Sequence, residues 1–195
     1  MTNPKIGIAY HSGYGHTAKQ AEAVANGARQ AGGDVTLFAV DQDFDQWDAL
    51  NASDAIIFGS PTYMGGPSAQ FKAFADASSG TVFAAGNLWK DKIAAGFTNS
   101  ASRAGDKSAT LAQLTIFAAQ HGMHWVNLGL PPANNSTAGS ENDLNRLGFF
   151  QGAGAQSNAD EGPDIAPPSA DLRTAEHLGG RVTEVTATLL RGKAA

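Results

Sequence analysis

The chain has no cysteine, which excludes disulfides, iron–sulfur ligation, Cys-based zinc sites and a thiol nucleophile. Any redox chemistry must then run through an organic cofactor. No apolar run approaches the roughly 18 residues that a membrane helix needs, so no membrane insertion is expected. Charge is sparse as well, with 16% charged residues and a net charge of −5 that forms no cluster. A nucleic-acid surface would need a basic patch, so no nucleic-acid partner is expected. Histidines are few, and none fall at H-x-x-x-H, so no metal is expected. The start, Met1-Thr2-Asn3-Pro4-Lys5, enters an apolar run at once, so no signal peptide is expected. A cytoplasmic location is the default expectation.

What is present fits one domain over residues 1–195, long enough to bury a core. Strand-like and helix-like stretches alternate throughout. Residues 5–10 are apolar and read as a buried strand, and the Ala-rich stretch 17–31 that follows has helical spacing and stops at Gly32-Gly33. Residues 34–40 alternate only in part, which suits a sheet edge, and the acidic link 41–51 is expected to lie on the surface. Ala55-Ile56-Ile57-Phe58-Gly59 is apolar on both faces, as a central parallel strand should be. A helix is expected to begin at Pro67, a fourth strand to cover 92–97, a helix 108–120, a fifth strand 123–128 and a closing helix 171–190. Gly179-Gly180 should weaken that last helix. Five strands with four or five helices on both faces imply an α/β, doubly wound, flavodoxin-like parallel sheet of order 2-1-3-4-5. Its ligand would sit at the switch point between strands one and three.

Three polar loops follow strands one, three and four, and this topology brings them together. In the first, His11-Ser12-Gly13-Tyr14-Gly15-His16-Thr17, two glycines let the backbone approach an anion closely, and the next helix presents its positive end. The loop has no lysine, so a G-x-x-x-x-G-K-[ST] triphosphate site is unsupported, and no G-x-G-x-x-G follows the strand. A single terminal phosphate fits better. Taken alone, the loop is also readable as an ordinary Gly-rich turn.

Ser12-Gly13-Tyr14-Gly15-His16-Thr17 resembles the FMN phosphate loop of the flavodoxin-like NAD(P)H:quinone oxidoreductases, the WrbA-type family. Ser60-Pro61-Thr62-Tyr63-Met64-Gly65 resembles that family's second flavin loop, Asn99-Ser100-Ala101-Ser102-Arg103-Ala104 its third, and His121-Gly122-Met123 a motif before strand five. The resemblance implies that Ser12, Gly13, Tyr14, Gly15, His16 and Thr17 hold the FMN phosphate. It implies that Pro61, Thr62, Tyr63, Met64 and Gly65 line the ring and that Asn99 through Ala104 (Ser100, Ala101, Ser102 and Arg103 between them) cradle it. His121 would stand against the flavin's polar edge as a catalytic proton source, Tyr14 would contact the nicotinamide donor, and Phe83 would stack on the substrate. The implied activity is hydride transfer from NADH or NADPH through FMN to a quinone-like acceptor, by a homodimer or homotetramer.

Two other flavin functions remain open: a flavodoxin-type FMN electron carrier and an NAD(P)H-dependent FMN reductase. A receiver-like signalling domain on the same sheet is excluded, because strands one and three end in His11-Ser12 and Ser60-Pro61 rather than in acidic residues. Trp47, Trp89 and Trp125 read as core or interface, and Asp160, Glu161 and Asp164 as a solvated loop face. Tyr63 fits a substrate contact or a subunit contact equally. The unpatterned stretch 129–168 is expected to be a lid over the flavin or a subunit contact.

Overall fold

The computed structural model describes residues 3–194, so Met1 and Thr2 of the N-terminal reading and Ala195 lie outside it. The chain runs β1 (Lys5–Tyr10), α1 (His16–Gln30), β2 (Asp34–Ala39), α2 (Trp47–Asn51), β3 (Ala55–Tyr63) and β4 (Gly66–Pro67). It continues through α3 (Ala69–Ser78), a π turn (Ser79–Phe83), β5 (Ile93–Ser100), α4 (Lys107–Gln120), β6 (His124–Trp125), β7 (Ala153–Gln156) and α5 (Ser169–Ala194). The sheet order is β2-β1-β3-β5-β6, with β7 also on β5 and β4 folded back antiparallel on β3. All other pairings are parallel. The expected doubly wound order is therefore present.

Alternation along the central strands builds two cores. Ile6, Ile8 and Ile57 face α1 and α5, meeting Val24, Leu178 and Val182. Ile56 and Phe58 face the other side, where Phe71, Phe74, Trp89 and Leu114 pack. A strand buried on both faces must be apolar at every position, which is why 55–59 read as a continuous run.

Five features depart from the sequence expectations. The fifth strand is not one segment: β6 pairs with Ile93 and Ala94, and the ladder resumes on Phe97 only at Ala153. After Val126 N donates to Ala94 O at 2.7 Å the chain leaves the sheet, and Gly129 turns it at φ +69°. It re-enters where Gly152 crosses β5 so closely that a Cβ would lie 2.1 Å from Gly96 O. The acidic link is not merely surface, because it forms α2, buries Leu50 and stacks Trp47 on Phe74 at 5.1 Å. The third helix starts at Ala69 with Ser68 as its cap, Ser68 Oγ accepting from Phe71 N at 3.2 Å, while Pro67 sits in the hairpin opposite Thr62. The fourth helix begins one residue earlier than expected, at Lys107. Finally, Gly179-Gly180 does not interrupt α5. Gly27 and Gly179 instead let α1 and α5 touch backbone to backbone, since their Cβ atoms would lie 1.8 Å from Glu176 O and 1.9 Å from Val24 O. Among the described residues, no helix is long and apolar enough to cross a membrane.

Candidate functional site

The carboxyl ends of β1, β3 and β5 enclose a cavity of about 700 Å³ at the switch point of the sheet. Tyr14, His16 and Thr17 line it from the first loop, Pro61, Thr62 and Tyr63 from the second, and Asn99, Ser100 and Ala101 from the third. The structure thus brings together three residues from each expected loop. Ser12, Gly13 and Gly15 shape the first loop without lining the cavity. Met64 and Gly65 form the hairpin turn beyond it, at φ +47° and +84°. Ser102, Arg103 and Ala104 also lie outside the lining.

The first loop is arranged for an anion. Gly15 caps α1 at φ +89°, a left-handed conformation that glycine adopts without strain. Ser12 Oγ accepts from Gly15 N and Ala18 N, each at 3.1 Å. The amides of Tyr14, His16 and Thr17 have no hydrogen-bond partner among the described residues, nor does the hydroxyl of the buried Thr17. No acidic side chain occupies the first turn of α1 to meet the helix dipole. Free N–H groups at the positive end of a 15-residue helix attract a phosphate-like anion. Gly13 is needed for a second reason, because a Cβ there would lie 2.7 Å from Tyr63 Oη. The Tyr63 ring packs edge-on to Tyr14 at 6.2 Å, and burial pushes its phenol pKa up, so it stays protonated near neutrality.

Beneath the cavity, Thr62 Oγ1 lies 2.8 Å from both Thr98 Oγ1 and Thr110 Oγ1, a buried hydroxyl chain that ties β3, β5 and α4 together. Asn99 Nδ2 donates to Ser157 Oγ at 2.8 Å, and Ser157 N to Ser100 O at 3.1 Å. Arg103 is drawn outward into an ion pair with Glu141. Hydrogen bonds from Arg103 and then Arg146 hold the Glu141 carboxyl down to about 2. Arg146 also grips the buried Asp171 with both ends of its fork, Nε to Oδ1 at 2.7 Å and Nη2 to Oδ2 at 2.8 Å. That hydrogen-bonded carboxylate is the main cause of the raised Arg146 pKa.

His121 and Phe83, expected at the flavin edge and the substrate, do not line this cavity within one chain. His121 ends α4 just before β6, and in a parallel sheet the amino end of a strand lies on the side away from the ligand. It is 4% exposed, its Nε2 lies 2.9 Å from Ser78 Oγ, and its ring packs on Trp89 and Phe117. Burial pushes its pKa down, so the ring is neutral near pH 7. With the exposed Phe83 it borders a separate groove of about 440 Å³. Neither side chain reaches the cavity of its own chain.

The remaining wall comes from the stretch 129–168, expected as a lid or a subunit contact but without named site residues: Ser157, Ala159, Asp160, Glu161 and Gly162 line the cavity, although Asp160 and Glu161 read as a solvated face. His16 Nε2 donates to Glu161 O at 2.8 Å, and Pro163 closes over Gly15, whose Cβ would lie 2.8 Å from Pro163 Cγ. A signal was available: Ala153-Gly154-Ala155-Gln156 is a short apolar run, and a strand there delivers its following loop to the switch point. Among the described residues, no group of three or more His, Cys, Asp or Glu could hold a metal ion.

The donor set fits FMN: unpaired amides and a buried hydroxyl for a phosphate, beside a cavity in the size range of cofactor sites. Fold and site together define a flavodoxin-like α/β protein. Residues 8–137 match the model of the NADPH-dependent FMN reductase family, and the chain belongs to that family of flavodoxin-like, WrbA-type proteins. It is 44% identical over 185 residues to a flavodoxin, FldP, of Pseudomonas aeruginosa, covering 93% of this chain and 96% of that protein. It is 32% identical over 213 residues to an NAD(P)H dehydrogenase (quinone) of Archaeoglobus fulgidus, covering 95% and 98%. The crystal structure of a flavodoxin, WrbA-like protein from Agrobacterium tumefaciens superposes with a TM-score of 0.72 at 40% identity, covering 95% of this chain and 99% of that one.

Proposed function

We propose that the protein is an FMN-dependent oxidoreductase that transfers a hydride from NADH or NADPH to a quinone or a related small acceptor. The observation that carries this reading is the set of unpaired amides of Tyr14, His16 and Thr17 at the positive end of α1, opening on a cavity of cofactor size. Bound FMN supplies a ring that accepts a hydride and returns two electrons. The chain's own residues bind and orient. Ser12, Gly13, Tyr14, Gly15, His16 and Thr17 hold the phosphate; Pro61, Thr62 and Tyr63, with Asn99, Ser100 and Ala101, flank the ring, and Met64, Gly65, Ser102, Arg103 and Ala104 form the turns at its rim. Tyr14, 76% exposed at the mouth, offers its face to the nicotinamide. No nucleophile is required of the protein. The family resemblance adds a homodimer or homotetramer; one-domain chains follow from length, and a cytoplasmic location is the default reading. Phe83, on the far edge of the sheet, would then meet a substrate only in a neighbouring copy's cavity.

A second reading is favoured by one observation, the 44% identity to a protein named flavodoxin: an FMN electron carrier without a small-molecule substrate. Steady turnover of NADH or NADPH with benzoquinone decides between them. Sustained oxidation with flavin retained on gel filtration supports the oxidoreductase. Flavin that binds but is reduced only by a protein donor indicates the carrier, and flavin released on reduction indicates an FMN reductase. Failure of micromolar protein to take up FMN in a fluorescence titration refutes all three.

A further inference from the structure

Lys107 is fully buried, and nothing in the functional reading uses it. It opens α4 beneath the loop formed by residues 100–106, and its ammonium spends all three protons on that loop. Nζ donates to Ser100 Oγ at 2.7 Å and to the carbonyls of Ser102 and Arg103 at 2.9 Å each. The Phe149 ring closes another side, its centroid 5.7 Å from Nζ. A cation in a first helical turn opposes the dipole, and a buried ammonium without its own carboxylate is costly. The position is therefore poor for stability and must be accounted for by what it organises.

A trans peptide points its N–H opposite to its C=O. With the Ser102 and Arg103 carbonyls drawn down onto Lys107, the N–H groups of Arg103 and Ala104 face away from the ammonium, and neither has a partner among the described residues. The loop holds this shape through two left-handed residues, Gly105 at φ +52° and Asp106 at φ +54°, the second without glycine's freedom.

We propose that Lys107 is a positioning residue of the FMN site: it fixes the third loop so that the amides of Arg103 and Ala104 stand outward as donors, and its charge favours the reduced cofactor over the oxidised one. The proposal rests on reading the cavity as an FMN site. Hydride transfer from NAD(P)H releases NAD(P)⁺ and adds one negative charge to the bound ring until water supplies a proton. A buried cation with two aligned peptide dipoles lowers the energy of that product. The charged groups around Lys107 are Asp171 on α5, Arg146 and Glu141 on the stretch between β6 and β7, and Arg103 and Asp106 on the loop itself. Asp171 is held by Arg146, so it offsets the guanidinium first. Burial, assisted by Arg146 and opposed by Asp171, brings the Lys107 pKa down to about 8.

The test uses the full chain. The FMN dissociation constant is measured by flavin fluorescence for wild type and Lys107→Met from pH 7 to 9.5, above the phosphate's second pKa of about 6. The two-electron potential is measured against a reference dye. Wild type should weaken about tenfold across that range, the discrimination of roughly one pKa unit. Lys107→Met should bind more weakly at pH 7 and show a flat profile. Its preference for reduced over oxidised FMN should fall about tenfold, which lowers a two-electron potential by about 30 mV. A flat wild-type profile, or a folded Lys107→Met with unchanged potential, overturns the assignment while FMN binding itself upholds the site. If Lys107→Met does not fold, the wild-type profile decides alone. No FMN uptake at any pH overturns both.

Discussion

Replacing Gly27 with alanine tests whether α1 and α5 meet as the structure has them. On helix propensity alone the change should stabilise α1 by about 1 kcal/mol, because glycine in a helix interior is that much worse than alanine. The structure predicts the opposite sign. The new Cβ would lie 1.8 Å from Glu176 O, far inside the 3.4 Å at which ordinary contact begins, and a backbone oxygen cannot step aside by changing rotamer. α5 must retreat, loosening Ala175, Leu178 and Val182 from Val24 and Ala28. Overpacking of this kind costs about 1–3 kcal/mol, and a backbone obstacle belongs at the upper end. Net of propensity, Gly27→Ala should lose about 2 kcal/mol, a drop in Tm of about 4–8 °C for a chain of this length. Urea unfolding followed by far-UV circular dichroism reads the effect. Gly192→Ala is the control: nothing lies within 4 Å of a Cβ there, so it should be neutral or gain a few tenths of a kcal/mol. Because α1 carries the phosphate loop at its amino end, Gly27→Ala should also weaken FMN binding. If Gly27→Ala is as stable as wild type, the backbone contact is wrong.

Three further outcomes are expected. Asp171→Ala strands the Arg146 guanidinium and the Gln156 N–H that donates to Asp171 Oδ2 at 2.9 Å, so it should cost about 3 kcal/mol in urea unfolding; the double variant with Arg146→Met should cost less than the sum of the singles. Thr17→Val removes a buried hydroxyl from the anion site and should raise the FMN dissociation constant at least tenfold, about 1.5 kcal/mol or more for a hydrogen bond to a charged group, with little change in Tm. For Lys107, the folded chain releases the proton near 8 and the unfolded chain near 10.5, so the unfolded state binds more protons between those values and stability rises with pH across that window. Lys107→Met should flatten that rise. The wild-type-minus-variant difference is best read between pH 8 and 10, because Tyr10 and Tyr63, with raised pKa values, pull the other way at higher pH.

The parts of the fold that were legible in the sequence are those where burial forces a pattern. A two-sided core makes 55–59 continuously apolar, and parallel topology then sends the loops at Ser12, Ser60 and Asn99 to one place. What the sequence could not convey was contact between distant segments. Gly27 and Gly179 lie far apart in the chain, and each alone looks like a defect in a helix; only their juxtaposition makes them the condition for α1 and α5 to touch. The motif at His121-Gly122-Met123 places its histidine just before β6, and the sequence could not convey that the amino end of a parallel strand lies across the sheet from the cavity of the same chain. Residues 157–162 could not be singled out within the stretch 129–168 because the strand that delivers them, Ala153–Gln156, is too short to show a period.

That short strand explains what the excursion between β6 and β7 contributes. β6 covers only the start of β5, and its residues are not buried, whereas the first three of β7 are. The carboxyl half of β5, which ends in the cavity, is therefore supported by a segment that returns to the sheet only after the excursion. Arg146 and Asp171 anchor that return from within. Asp171 receives the Gln156 amide and the Arg146 fork together, with both charges nearly excluded from water. The outer pair, Arg103 with Glu141, is about half exposed on each side, so solvent screens it and it contributes little. Salt should weaken the outer pair and leave the inner one nearly untouched, because screening acts on charges that solvent reaches. The third loop is thus held from below by Lys107 and only lightly from outside by Glu141, so its hold on a ligand should follow the ionisation of Lys107 more closely than ionic strength.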